Sequence, residues 1–400
     1  MFKRVVLFDR ADWRNQLLPL SATRPVGNLR VGICTLNEKW ELIFGCPVTY
    51  TTATYLQSFE QNLVDLPTDL LVIKAQVLPS PALQEELLQL QLGEVLMDEH
   101  GWIAFRTESM PEELDSWIAK FTTKLVKFPV STIEYPEDIF LKNQEQLLFD
   151  FELLTRGRQS QQLSDTNQVL GSWIFVEEGA QVEGAFLNSL AGPIYIGKNA
   201  VVEEGSFIRG YVAVGEHARV KMGSKIYPNV SIGPYSTVSG ELNNSVIWGY
   251  SAKGHEGYLG CSVLGAHCNI GAGSSNSNLK NNWKTVAMYD YSSSSYRDTQ
   301  LIKCGMVMGD LAMLGINSSV STGTVIGVGA QVATSKIVSK LVPDFMWLTD
   351  EVEQSYEYSR FVEMLARRNL FANLTKSENI AIFEYIYKQT QRHRDEVINT

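Results

Sequence analysis

One apolar residue recurs at every sixth position through the middle of this chain, and that period limits the possible folds more than any other feature. From Ile196, steps of six land on Val202, Ile208, Val214, Val220, Ile226, Ile232 and Val238. A second run holds Met308, Leu314, Val320, Ile326 and Val332, and Leu264 and Ile270 between them are also six apart. Six is neither the 3.6-residue period of a helix nor the two-residue period of a strand. It fits a parallel β-helix of hexapeptide repeats. Each coil has three short faces, one side chain per face points inward, and Gly and Asn serve the corners. Stacked coils share one core, to which each buried Ile or Val contributes roughly 1.5–3 kcal/mol.

The runs are out of phase. Val238 to Leu264 is 26 residues and Ile270 to Met308 is 38, each two more than a multiple of six. The expectation is a segment protruding from the coil at each place, and insertions in repeat folds often build the binding face. His255 falls in the first interruption, and Asn276 to Arg297 fill much of the second. The stretch SAKGHEGYLGCSVLGAHCNIGAGSSNSN, residues 251–278, straddles both. His267, in the same stretch, reads as coil surface.

Bulk properties narrow the partners. The net charge of -10 argues against general affinity for nucleic acid or anionic membranes. Five cysteines (Cys34, Cys46, Cys261, Cys268, Cys304) include no CxxC pair, so metal ligation by them is not expected. With no signal peptide and no long apolar run, the expectation is a reduced, cytoplasmic protein without a membrane partner.

In and just past the stretch stand Gly254-His255, Tyr258-Leu259-Gly260, Asn269-Ile270-Gly271-Ala272-Gly273, Asn278 and Lys284, whose spacing matches one family pattern without a gap from His255 to Lys284. This constellation resembles the acetyltransferase half of bifunctional GlmU-type enzymes, left-handed β-helix acyltransferases that make UDP-N-acetylglucosamine. The resemblance implies that His255 is a general base, removing a proton from the amine of glucosamine 1-phosphate as it attacks acetyl-CoA. An imidazole suits that work because its ordinary pKa lies near neutrality, roughly 6.5. It further implies Glu241 as the acidic partner of His255, and Tyr258 and Asn269 as sugar-phosphate ligands. Asn278 would stand beside the reacting acetyl group, and Ala272 and Lys284 would contact coenzyme A. Lys221 falls near a phosphate-binding Arg of the family. Two departures, Asn243 for a family Lys and Leu279 for a family Tyr, leave room for another sugar phosphate. The family's β-helices are trimers with sites between subunits, so a homotrimer is expected.

The first part reads as an α/β nucleotide-binding domain opening with the strand VVLFDR. The pattern LLPLSATRPVGNLRVG, then EKW, resembles a divergent branch of sugar nucleotidyltransferases fused to a hexapeptide-repeat half. Its usual glycine loop and Pro-Lys are missing: Phe8-Asp9-Arg10-Ala11 and Pro25-Val26 stand there. A glycine nest normally cradles phosphates through backbone amides. Arg14, Arg24, Arg30 and Lys39 are the cations that could replace it, with Asp9 a weak Mg²⁺ candidate. Asp98 reads as a hairpin-turn residue.

Residues 136–157 carry a helical pattern (Ile139, Leu147, Leu148, Phe151, Leu154) that joins the halves, and SQQLSDTNQ reads as a linker. From Asp350 the tail is amphipathic and helical, with Phe361, Leu365, Leu370, Ile380, Phe383 and Ile386 apolar, suited to covering the last coil. The expected architecture is thus an α/β nucleotidyltransferase-like domain (1–157), a left-handed parallel β-helix (168–342) and a helical cap (343–400). The expected function is acetyl transfer to glucosamine 1-phosphate, followed by Mg²⁺-assisted nucleotidyl transfer from UTP. Three alternatives stand beside it: only the acetyltransferase half works, another sugar 1-phosphate or nucleotide (such as dTTP) is used, or the chain is a non-catalytic trimeric scaffold.

Overall fold

The computed structural model describes residues 2–59, 68–110, 114–368 and 376–398. The chain forms two compact units. One comprises Met1–Asn15, Arg24–Leu29 and Cys34–Glu134; the other comprises Gln16–Thr23, Arg30–Ile33 and Tyr135–Thr400.

The first unit is built on six strands: β1 (Arg4–Phe8), β2 (Val48–Thr51), β3 (Leu70–Lys74), β4 (Glu94–Asp98), β5 (Gly101–Thr107) and β6 (Thr122–Leu125). Their order is β2-β1-β3-β5-β4-β6. The apolar run RVVLF of β1 occupies a central place, parallel to β2 and β3, as expected of a strand buried on both faces. β5 returns antiparallel beside β3 after a tight turn from β4. Asp98 serves that turn, its Oδ1 accepting from the His100 amide at 2.8 Å. Val6, Leu70, Val72, Val95, Trp102 and Phe105 form a core on this sheet. Helix Leu36–Phe44 starts with a capping box between Thr35 and Glu38.

The second unit is a parallel β-helix whose coils each cross three faces. The inward column of the second face is Val176, Ile196, Val214, Ile232, Ile247, Leu264, Met308, Ile326 and Val342. Every residue of the three hexad runs points inward, and none is more than 4% exposed. The α/β unit, the β-helix and the C-terminal helices that the sequence implies are all present.

The first phase break, however, is not a protrusion. Between Val238 and Leu264 the inward positions are Leu242, Ile247, Lys253 and Leu259, in register with their neighbours on each face. The steps are four, five, six, six and five residues, so shortened corners slip the phase and nothing leaves the coil. The second break does protrude. Asn276 keeps the step of six after Ile270, and a long excursion follows before Met308. It carries the antiparallel hairpin Ala287–Asp290 with Ser295–Asp298 and is closed at its base by a Leu279–Lys303 bridge.

Helix Asp138–Thr155 belongs to this second unit and buries Ile139, Phe140, Asn143, Leu147 and Phe151. The stretch expected to be a linker is laid along the first coil: the Gln161 side chain donates to the Ala180 carbonyl and Asn167 to that of Val182. At the other end, strand Glu353–Ser355 pairs with Met346–Thr349, so the helical tail begins only at Tyr358. Its Phe361 packs on Phe345 of the last coil and on Phe383, with ring centroids 4.9 and 5.4 Å apart. Ile382 rather than Ile380 is buried beside Ile386, and Leu370 lies outside the described residues.

Candidate active site

His255 stands on the corner 254–257, which carries the chain from strand Ala252–Lys253 on the third face to Tyr258–Leu264 on the first. The coil beneath turns the same corner with only Ser239 and Gly240. Gly240, at φ +82°, lies directly under the longer turn. A Cβ on it would meet the Gly257 carbonyl at 2.6 Å and the His255 carbonyl at 3.1 Å. Gly257, at φ +132°, leaves no room for a Cβ against the Ser274 carbonyl. Three layers of main chain therefore stack in contact, because glycine alone admits both the conformation and the approach. The His255 ring is exposed at this rigid corner, and among the described residues it has no hydrogen-bond or ion-pair partner.

Two lysines hold the turn by its carbonyls. Lys221 Nζ donates to the Gly254 oxygen at 3.0 Å. Lys253 Nζ donates to the Ser239 oxygen at 3.2 Å and to the His255 oxygen. The ammonium of Lys221, expected at a phosphate, is thus placed on the main chain of the histidine turn. Lys253 gave no signal in the sequence, since the hexad count loses its phase there.

Tyr258 lies half-buried on the first face, its phenol over Gly260, where a side chain would collide with it. Its hydroxyl accepts from Asn278 Nδ2 at 3.0 Å, and burial pushes its pKa up. The same Asn278 amide donates to Cys261 Sγ at 3.3 Å, as does Asn244 at 3.4 Å. Asn244 accepts from Asn229, which in turn accepts from Asn143 of helix Asp138–Thr155 at 2.9 Å. A file of three side-chain amides thus meets the Tyr258–Asn278 pair at the Cys261 sulfur, and none of Asn143, Asn229 or Asn244 was singled out from sequence. Asn276 takes an inward position and bonds both the amide and the carbonyl of Gly260, at 2.9 and 3.0 Å.

The remaining candidates are more dispersed. Glu241 pairs in register with Tyr258, and among the described residues no ion pair joins it to His255. Asn269 is exposed on the third face, stacked on Ala252, whereas Tyr258 and Asn278 belong to the first; His255 occupies the corner between these faces. Ala272 lies on the next coil's corner, where its carbonyl accepts from the Asn317 amide at 2.7 Å. Lys284 is exposed on the protruding excursion. That excursion is fixed to the body by Arg297, which pairs with the buried Glu137 and lies 3.6 Å over the Tyr135 ring. At its base a groove of ≈ 640 Å³ runs past Asn276, Ser277, Leu279, Lys280 and Ser319. His267, read as surface, is the last ring of a stack with Tyr250, Tyr235 and His217, each pair 4.8–4.9 Å apart.

In the first unit, Asp9 follows β1 with its side chain wholly buried. Its Oδ2 accepts from the Val26 amide at 3.2 Å and from Thr52 at 2.9 Å, and lies 3.6 Å from Arg14. Its Oδ1 is buried without a hydrogen-bond partner among the described residues, but with the Arg14 guanidinium beside the carboxylate Asp9 by itself is no site for a divalent cation. Among the described residues no group of three His, Cys, Asp or Glu side chains could hold one. Arg14 is buried with Asp9, Arg24 lies half-buried near Tyr50, and Lys39 is wholly buried in helix Leu36–Phe44. Arg30 belongs to the second unit, donating to the Ile33 carbonyl while its own carbonyl accepts from Trp248. The four cations are thus divided between the two units. Sequence reading missed Lys74 at the end of β3, which lies 4.7 Å over the Trp13 ring, with burial lowering its pKa.

Among the described residues no helix is long and apolar enough to cross a membrane. Comparison with solved structures returns acyltransferases at low similarity. A UDP-N-acetylglucosamine acyltransferase of Francisella novicida is 19% identical, with 57% of this chain and 84% of that chain covered and a TM-score of 0.24. The Arabidopsis UDP-N-acetylglucosamine acyltransferase is 14% identical, covering 58% and 91%, with a TM-score of 0.27. AntD, an N-acyltransferase of Bacillus cereus solved with dTDP and 3-hydroxybutyryl-CoA, is 11% identical, covering 50% and 91%, at 0.22. No curated protein matches the chain. Residues 5–159 match the sugar nucleotidyl transferase family.

Proposed function

We propose that the second unit is an acyl-CoA-dependent N-acyltransferase acting on an amino sugar phosphate, with glucosamine 1-phosphate and acetyl-CoA as the expected pair. The observation that carries this reading is the His255 corner: an exposed, unpartnered imidazole on a turn fixed from below by Gly240 and from behind by two lysines. An imidazole presented in this way can accept a proton from a bound substrate without first breaking a bond inside the protein. In the reaction, the substrate amine attacks the thioester carbon while His255 takes a proton from the amine nitrogen. The tetrahedral intermediate then collapses, the carbon–sulfur bond breaks, and coenzyme A leaves with the proton that His255 returns. Tyr258 and Asn278, already bonded to each other, offer a hydroxyl and an amide carbonyl to the sugar phosphate. Asn269 faces outward on a neighbouring face and Lys284 sits on the excursion, which suits a site completed by further copies of the chain, a homotrimer in this reading.

For the first unit the reading is narrower. Nucleotidyl transfer from UTP to N-acetylglucosamine 1-phosphate is supported by the family match of residues 5–159. The engagement of Asp9 by Val26, Thr52 and Arg14 favours the second reading, in which this unit binds a nucleotide or a sugar phosphate without turning it over. Two assays separate these readings. Thiol release from acetyl-CoA with glucosamine 1-phosphate, compared with His255→Gln, tests the acyl transfer. Pyrophosphate release from UTP with N-acetylglucosamine 1-phosphate tests the first unit, and no release above background leaves the acyltransferase alone.

A further inference from the structure

A charged residue occupies the apolar interior of the β-helix at the coil that carries the candidate base. The inward column of the third face reads Val182, Val202, Val220, Val238, Lys253, Ile270, Leu314 and Val332, each in register with the next. Lys253 alone among these is not a hydrocarbon, and it is 1% exposed. A buried ammonium is costly unless its hydrogens find acceptors. Here they find main-chain carbonyls: Ser239 of the short corner beneath and His255 of the long corner itself. The neighbouring Lys221 reaches the adjacent Gly254 carbonyl from outside the coil. Burial lowers the pKa of Lys253 to about 8, with Glu256 the one charge opposing that shift, so the ammonium form is present at neutral pH.

We infer that Lys253 is a positioning residue for His255: its ammonium, reaching out from inside the coil, fixes the carbonyl of the histidine and with it the angle at which the imidazole leaves the corner. A four-residue corner has more conformations open to it than the two-residue corner below, and Gly254 and Gly257 widen that choice. Stacking on Gly240 below and against Ser274 above limits the turn along the β-helix axis but not across it. The lysine supplies the hold across it. An aliphatic residue would fill the column equally well, which explains why a charge here has a purpose other than packing.

The proposal rests on the acyltransferase reading for its consequence in rate, but not for its structural content, and the test separates the two. Lys253→Met keeps the volume and suits the column, so the variant folds with a melting temperature at or above that of the parent. Hydrogen exchange of the peptide covering 254–258 is expected to quicken by at least about tenfold, with the neighbouring coils unchanged. Acyl transfer is expected to fall by about ten- to a hundredfold, the scale of a displaced catalytic group. In the His255→Gln background the same substitution is expected to change the residual rate less than twofold, because a residue acting through another loses its effect when that other is gone. Unchanged exchange at 254–258 overturns the proposal, as does an equal loss of rate in both backgrounds. If no form of the protein transfers acyl groups while exchange at 254–258 still responds to Lys253→Met, the acyltransferase reading fails and the positioning of the turn stands.

Discussion

Replacing Gly240 with alanine perturbs the histidine corner without substituting any residue proposed to meet substrate. Two costs follow from the structure. The first is conformational: an L-residue at φ +82° gives up about 1–2 kcal/mol, roughly 2–8 °C of melting temperature in a unit of this size. The second is steric. The new Cβ would stand 2.6 Å from the Gly257 carbonyl, where ordinary contact begins at 3.4 Å, so the upper turn must retreat by about 0.8 Å. Misplacement on that scale costs on the order of a hundredfold in rate. Gly223→Ala is the matched control. Gly223 takes the same corner two coils below His255, at φ +73°, with nothing within 4 Å of its missing Cβ. Both variants should lose similar stability in a thermal melt, and only Gly240→Ala should lose about ten- to a hundredfold of thiol release from acetyl-CoA. Equal turnover in the two variants refutes the claim that Gly240 sets the height of the histidine turn.

Three further outcomes follow from packing and charge. Arg297→Leu leaves Glu137, buried at 5% side-chain exposure, without its cation; urea unfolding should show a loss of about 3–5 kcal/mol, largely recovered by adding Glu137→Leu, and additive losses would contradict this. Asp344 is wholly buried, and desolvation raises its pKa from 3.8 to about 6. Below about pH 3 the carboxyl is protonated folded or unfolded; as pH climbs toward 6 the unfolded chain ionises first, so folding bears a growing cost that is complete above pH 6. Asp344→Asn should therefore gain on the parent by about 3 kcal/mol between pH 3 and pH 7 in denaturant titrations, and a difference independent of pH would count against it. Ile226→Ala, an inward position 2% exposed, should cost about 2–5 kcal/mol, while its exposed neighbour Lys225→Ala stays within about 0.5 kcal/mol; the reverse order would deny the inward register.

The β-helix is legible in the sequence because its core is made of single inward residues at a fixed interval, and Ile196 to Val238 occupy that interval without a fault. The same rule misleads where corners change length. A count of six from Val238 assigns a protrusion to residues that in fact form Leu242, Ile247 and Leu259 of the core, because Ser239 and Gly240 turn a corner in two residues. Lys253 and Asn276 stay hidden for a related reason: a polar side chain at an inward position looks like a loop residue until the register is known. His255, Tyr258 and Asn278 could be named from the family resemblance that their motif carries, and Tyr258 and Asn278 do meet. The separation of Asn269 from them could not, since linear spacing does not say which face a residue takes. In the first unit, Arg14 and Arg30 share a basic motif in sequence but fall in different compact units.

The central claim is that the His255 corner moves a proton in acyl transfer. Its most direct test is the steady-state rate of thiol release from acetyl-CoA in the presence of glucosamine 1-phosphate, for the parent and for His255→Gln with an unchanged melting temperature. Removal of a general base lowers such rates about 10²–10⁴-fold, and a fall of that size in turnover is the predicted result. Equal rates in the two proteins, or no release by the parent with any amino sugar phosphate, would contradict it.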